Sequence, residues 1–186
     1  MMKKTISQRS QNTTIWISGI TASGKTTLGN NLAKKLKNYG IKNLDILDGE
    51  DIRNRLDRSY GHSEKERRKA FPKMLEIINQ SYVEGNIVIV STVSHKRYMR
   101  EAARKIFKNF IEIYLRCPAE TCAERDFKGL YKKAVNGEID LFPGITEPYE
   151  ESLNEPELVL DTSIFSIEEC SEKLFKLTLK FLKTHT

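Results

Sequence analysis

Ile15-Trp16-Ile17-Ser18-Gly19-Ile20-Thr21-Ala22-Ser23-Gly24-Lys25-Thr26-Thr27 is the stretch that decides the fold. Residues 15–18 read as a short apolar strand, and Gly19 to Thr26 fit G-x-x-x-x-G-K-[ST], the phosphate-binding P-loop. Leu28, Leu32 and Leu36 follow at helical spacing, with Lys34 and Lys35 on the other face. Strand, glycine loop and helix in that order are the context the motif requires. Glycines let the backbone turn tightly, so successive N–H groups face one concavity. The helix N-terminus adds the positive end of its dipole. Gly19, Ile20, Thr21, Ala22, Ser23, Gly24, Lys25, Thr26 and Thr27 are therefore expected to cradle the phosphates of ATP or a similar triphosphate. Lys25 would reach the β- and γ-phosphates, and the Thr26 hydroxyl would sit on Mg²⁺. The motif does not identify the phosphoryl acceptor, and water is among the candidates.

Beyond this helix, Tyr39-Gly40 is a stop signal, and residues 43–47 read as a second strand ending in Asp48-Gly49-Glu50-Asp51-Ile52-Arg53. Carboxylates at the carboxyl end of a strand fall in the ligand crevice of an open α/β sheet. The competing reading is that Asp48 and Glu50 merely cap the next helix. Ser63 and Glu66 form a capping-box pattern ahead of a helix whose Pro72 is tolerable only near its first turns. Ile87-Val88-Ile89-Val90 is a continuous apolar run, as expected of a parallel strand buried on both faces. It ends in Ser91-Thr92-Val93-Ser94-His95-Lys96-Arg97, hydroxyls and cations without an acid. The acid that usually holds Mg²⁺ in NTPase motors is thus missing there, which favours a small-molecule kinase with Asp48 or Glu50 supplying the carboxylate.

Residues 100–107 read as a helix, 110–115 as a strand, and 119–125 as a helix behind Pro118. Arg125 to Lys133 is basic and aromatic, and the segment on to Pro148 lacks a core pattern of its own. Long loops of that kind are often lids, so residues 125–150 are expected to be one. A last strand at 158–162 precedes a helix capped by Ser166, with Ile167, Cys170, Leu174, Leu177 and Phe181 on its core face. Alternating strands and helices without repeat or linker predict a single α/β domain over 1–186 with a parallel sheet, preceded by a loose arm at 1–13.

The chain of 186 residues is 39% hydrophobic and 30% charged, enough for one substantial core. No apolar run approaches the ~18 residues of a membrane span. The polar, basic N-terminus points away from a secretory signal, and the cytoplasm is the expected location. Cys117, Cys122 and Cys170 lack metal-site spacing, and Cys117 and Cys122 read as half-buried thiols in a reduced compartment. The net charge of +6 suits polyanionic small molecules. Nucleic acid is disfavoured because the basic residues are dispersed rather than clustered with aromatics.

Taken together, these residues resemble the adenylylsulfate kinase family of P-loop kinases over roughly 13–175. The resemblance rests on Leu47-Asp48-Gly49, Arg125-Asp126-Phe127-Lys128-Gly129-Leu130-Tyr131-Lys132-Lys133-Ala134, Phe142-Pro143-Gly144-Ile145, Pro148-Tyr149-Glu150 and Asn154-Glu155-Pro156-Glu157-Leu158-Val159-Leu160-Asp161-Thr162. It implies a three-layer fold with a five-stranded parallel sheet and a lid, usually dimeric. The implied reaction is phosphoryl transfer from MgATP to the 3′-hydroxyl of adenylylsulfate. It further implies that Asp48 and Glu50 orient or deprotonate the acceptor and organise Mg²⁺, and that Arg125 borders ATP. Arg53 and Arg67 would hold the acceptor's anionic groups, while Lys128, Gly129 and Leu130 close over both nucleotides. Phe142 would stack on the acceptor base. Ser94 matches a serine sometimes described as a phosphorylated intermediate, although direct in-line transfer with Ser94 as a contact fits better. The departures cluster on the acceptor side. The family's D-G-D-N-V-R reads Asp48-Gly49-Glu50-Asp51-Ile52-Arg53, its G-F-S reads Gly61-His62-Ser63, and its R-x-E-N reads Arg67-Arg68-Lys69-Ala70. Its T-A-F-I-S-P-Y reads Val90-Ser91-Thr92-Val93-Ser94-His95-Lys96. A kinase of another nucleotide-activated acceptor, such as cytidine diphosphoramidate, is the alternative.

Overall fold

Alternating apolar runs and amphipathic helices build one sheet with helices on both faces. The computed structural model describes residues 12–56, 60–61 and 63–184. In chain order the elements are β1 (Thr13–Ser18), α1 (Lys25–Tyr39), β2 (Leu44–Asp48), α2 (Gly49–Arg55), α3 (Glu64–Val83) and β3 (Ile87–Ser91). There follow α4 (Arg97–Ile106), β4 (Phe110–Arg116), α5 (Ala119–Glu124), α6 (Leu130–Val135), β5 (Leu158–Asp161) and α7 (Ile167–Thr184). The five strands lie in the order β2-β3-β1-β4-β5, and every pairing is parallel.

The period of two along β1 sorts the core into layers. Ile15 and Ile17 face α1 and α7, packing with Leu28, Leu32, Leu36 and Leu174. Trp16 faces the other way, onto Ile52, Phe71, Leu75, Ile78, Met99 and Phe107 of the α2–α4 side. The chain leaves β1 first toward β3 and β2 and later toward β4 and β5, so the topological switch lies at β1. Ligands of open α/β sheets bind beyond the carboxyl ends of the strands at that point.

Several expectations need correction. The first strand starts at Thr13, inside the segment expected to be a loose arm, and residues 1–11 of that arm lie outside the described residues, as does His62. Thr13 and Thr14 are buried because they pair with Ile87, Val88 and Phe110. Pro72 sits well inside α3, not in its first turns. Its missing N–H and its ring are accommodated while Phe71 and Leu75 stay buried. Ile167 is 60% exposed and drops out of the core stripe that Cys170 and Leu174 keep. The three cysteines are free and buried, Cys170 as its place on the core face implied and Cys117 and Cys122 more deeply than expected. The lid segment has a core of its own, in which Tyr131, Ala134 and Phe142 pack on Ile20, Cys117 and Cys122. Its apolar residues come from distant segments, so no local period announced it.

Candidate active site

The P-loop runs from the end of β1 into α1. Gly19 has φ +150°, and a Cβ there would lie 2.7 Å from the Leu115 carbonyl oxygen, so only glycine fits. Gly24, the N-cap of α1, has φ +99° in the left-handed region. The Lys25 ammonium donates to the Ile20 carbonyl oxygen at 2.7 Å, folded across the loop it would share with phosphates. Burial pushes the Lys25 pKa down to about 8, against the pull of the Asp48 carboxylate.

Asp48 closes β2, level with Ser91 of β3. One of its oxygens accepts from the Thr26 hydroxyl at 2.6 Å, and the other accepts from the Glu50 N–H at 2.9 Å. Asp48 is therefore both the N-cap of α2 and a partner of the P-loop. The cap reading holds, and the bond to Thr26 also sets the acid against the P-loop. The structure gives β3 no acid at its end; Ser91 instead donates to the Lys25 carbonyl oxygen at 3.2 Å. Thr92 lies against Gly49, where a Cβ would come within 3.2 Å of the threonine oxygen.

Glu50 reaches the lid, where Lys128 pairs with it at 2.6 Å on an exposed edge. Lys128 lies in a tight turn held by Asp126, which accepts from the N–H groups of Lys128 (3.2 Å) and Tyr131 (2.8 Å). Gly129 then caps α6, and Leu130 packs against the lid core. The Tyr131 hydroxyl donates to the Thr21 carbonyl oxygen at 2.8 Å, tying lid to P-loop. Arg125 donates to the Thr162 carbonyl oxygen at 2.8 Å, and the Thr162 hydroxyl donates to the Ser23 carbonyl oxygen at 3.0 Å. Contacts thus join Thr26, Asp48, Glu50 and Lys128, and tie Arg125 through Thr162 to Ser23 of the P-loop.

The acceptor-side residues are arranged differently. Arg53 donates to the Gly61 carbonyl oxygen at 3.2 Å, and burial together with the nearby Arg67 lowers its pKa. Arg67 donates to the Leu141 carbonyl oxygen at 2.6 Å and lies 3.4 Å from Glu147. Ser94 is buried at φ +39°, with its carbonyl oxygen bonded by the fully buried Arg100. Phe142 is only 6% exposed, edge to face with Tyr131 at 4.9 Å between centroids. In this arrangement it packs with Ile20 in the lid core. Sequence reasoning passed over Arg100, Tyr131, Glu147 and Thr162 as individual site residues. Tyr131 and Thr162 stood inside quoted motifs, but nothing local marked Glu147, whose partners lie far away in the chain.

Thr26 and Asp48 also suit a magnesium ion. They are hard oxygen donors beside the phosphate cradle, and Mg²⁺ in such sites takes one or two protein oxygens, with phosphates and water completing the shell. Among the described residues no three or more His, Cys, Asp and Glu gather into a metal site. No helix among them is long and apolar enough to cross a membrane.

Comparison with known proteins converges on one family. The model of the family described as adenylylsulphate kinase matches residues 11–161. An adenylyl-sulfate kinase of Thermodesulfovibrio yellowstonii is 41% identical over 87% of this chain and 81% of that protein. That of Bacillus licheniformis is 40% identical over 86% and 81%. The solved structure of the Mycobacterium tuberculosis APS kinase CysC in complex with AMPPNP and APS superposes with a TM-score of 0.82. It is 31% identical and covers 91% of this chain and 98% of that one.

Proposed function

The chain belongs to the adenylylsulphate kinase family, and from that membership we propose that it transfers the γ-phosphoryl group of ATP to the 3′-hydroxyl of adenylylsulfate. The observation that carries the reading is the 2.6 Å bond between Thr26 and Asp48, which sets the acid of β2 against the P-loop where β3 offers none. In this reading the N–H groups of residues 19–27 and the Lys25 ammonium hold the donor phosphates, and Arg125 borders the donor nucleotide. Bound Mg²⁺ supplies neutralisation of phosphate charge beside Thr26 and Asp48.

Both Asp48 oxygens are committed, one to Thr26 and one to the cap of α2. Glu50, one oxygen of which pairs with Lys128 of the lid segment, is the carboxylate proposed to meet the acceptor hydroxyl. The 3′-oxygen forms a bond to the γ-phosphorus while the bond from that phosphorus to the bridging oxygen breaks. ADP leaves with the electron pair, and the hydroxyl proton passes to Glu50. Arg53, Arg67 and Lys128 hold the anionic parts of the reactants, and Ser94 lines the acceptor side. Catalysis of this kind is positioning and charge neutralisation rather than covalent chemistry.

The reading extends to a single domain whose segment 125–150 closes as a lid, and to a cytoplasmic homodimer. The free thiols support a reducing compartment. Light scattering during size-exclusion chromatography checks the oligomer. The activity is tested by ADP release and product analysis with MgATP and adenylylsulfate, with cytidine diphosphoramidate, and without acceptor. Formation of 3′-phosphoadenylylsulfate is expected. Silence there with turnover on the cytidine compound would overturn the acceptor assignment and leave the kinase.

A further inference from the structure

The loop after β3 departs from the family pattern by bringing in His95 and Lys96, and the structure sets both against one lid carboxylate. His95 Nε2 lies 3.0 Å from a Glu147 oxygen, in a contact without hydrogen-bond geometry. Lys96 Nζ lies 3.6 Å from the other oxygen, and Arg67 Nη1 of α3 lies 3.4 Å from the first. The Glu147 side chain is only 10% exposed, so these groups meet in a poorly hydrated spot. Each neighbour is anchored independently of Glu147. Arg67 also holds the Leu141 carbonyl oxygen, Lys96 also pairs with Glu150 at 3.4 Å, and the His95 carbonyl oxygen accepts from the Glu150 N–H at 2.8 Å.

A carboxylate ringed by preplaced nitrogens, in the crevice beyond a parallel strand, sits as a bound oxyanion would. Without a counter-charge, Arg67 and Lys96 would repel each other and the neighbouring Arg53 in a setting of low dielectric. The lid supplies that counter-charge when no ligand does. We propose that Arg67, His95 and Lys96 form the seat for the acceptor's anionic group, and that Glu147 is its internal stand-in, displaced when the acceptor enters. His95 and Lys96 are then specificity-determining residues that select an acceptor carrying a sulfate- or phosphate-like group. Glu147 sets how tightly that group binds, because it must first be expelled. The inference rests on the reading above that this crevice receives a nucleotide acceptor.

The test uses Glu147→Gln, which keeps the shape of the strap and removes its charge. Inorganic sulfate, and separately phosphate, is titrated calorimetrically into the whole protein with its P-loop filled by MgADP. The Michaelis constants for adenylylsulfate and MgATP are measured alongside. One charged partner is worth about tenfold in affinity. Glu147→Gln should therefore bind the anion about tenfold more tightly and lower the KM for the acceptor, with that for MgATP unchanged. Lys96→Met, on a side chain still partly in solvent, should weaken the anion by a similar factor. If Glu147 only pins the strap, Glu147→Gln leaves anion binding unchanged or weaker and raises the acceptor KM. That result, or unaltered binding in Lys96→Met, overturns the proposal. Tightened sulfate binding without turnover on adenylylsulfate would sustain this inference and remove the acceptor assignment. Normal turnover without tightening would do the reverse.

Discussion

Lys25 should make nucleotide binding depend on pH above neutrality. In the free protein its pKa is lowered by burial to about 8 from an ordinary 10.5. A bound triphosphate supplies several negative oxygens to the same ammonium and restores its preference for the proton. Binding above pH 8 must then take up a proton. At pH 9, one unit above the free value, about one free molecule in eleven carries the charge, so affinity should be about tenfold lower than at pH 7. At pH 8 the loss is about twofold, with uptake of about half a proton per ligand. The same shift has a stability side. The folded pKa lies below the unfolded one, so the cost of burying the ammonium is fully present below pH 8. It is relieved as pH rises from 8 toward 10.5, where the unfolded chain still binds the proton.

The assay is calorimetric titration of the non-hydrolysable analogue AMPPNP with Mg²⁺ between pH 7 and 9, in buffers of different ionisation enthalpy. The buffer dependence counts the protons directly. Lys25→Met provides the control, with weak and nearly flat binding over that range. Equal affinity at pH 7 and 9 in the native protein, or the same proton uptake in Lys25→Met, would refute the assignment of the shift to Lys25.

Other expectations follow from single contacts. Glu50→Gln should lower kcat by about 10²-fold or more while nucleotide affinity holds within a few-fold; equal turnover would reduce Glu50 to a cap residue and an anchor for Lys128. Gly29→Ala should destabilise by about 1–3 kcal/mol in urea titrations, because a Cβ there meets the Ser91 hydroxyl at 2.7 Å, and adding Ser91→Ala should recover most of the loss. Failure of that rescue would place the strain elsewhere. Glu112→Ala leaves the buried Arg100 without its carboxylate partner at 3.2 Å and should cost about 3–5 kcal/mol, read by the same titration. A loss below about 1 kcal/mol would mean that Ser94, Glu150 and Ser152 suffice to hold Arg100.

The sheet was legible because a parallel strand covered on both faces has no polar side to hide it. Ile87 to Val90 are fully buried, and Leu28, Leu32 and Leu36 sit on the face their spacing predicted. Errors arose where tertiary context overrode local chemistry. Two threonines became strand because Ile87, Val88 and Phe110 pair with them across the sheet. The lid core escaped notice because Ile20, Cys117, Cys122 and Phe142 reach it from separate segments. Pro72 was misplaced because its cost was weighed locally, whereas Phe71, Leu75 and Ile78 bury the helix on both sides of it.

The two halves of the site differ in legibility for the same reason. The proposed donor cradle is nine consecutive residues, 19–27, whose backbone would do the binding, so residue type and spacing specify it almost completely. The acceptor side is assembled from α2, α3, the loop after β3 and the lid strap, joined by contacts such as Arg67 to Leu141 and His95 to Glu147. Departures from a family motif look like losses when each segment is read alone. The proline and tyrosine replaced by His95 and Lys96 are an example. Placed together, the new imidazole and ammonium meet a carboxylate that the motif had not marked. Charge that enters on one segment is balanced on another, since an uncompensated cation pair in so enclosed a spot would be costly. A changed acceptor loop is therefore to be read with the segment packed against it. The seat tested by Glu147→Gln and Lys96→Met is where specificity in this chain should be sought.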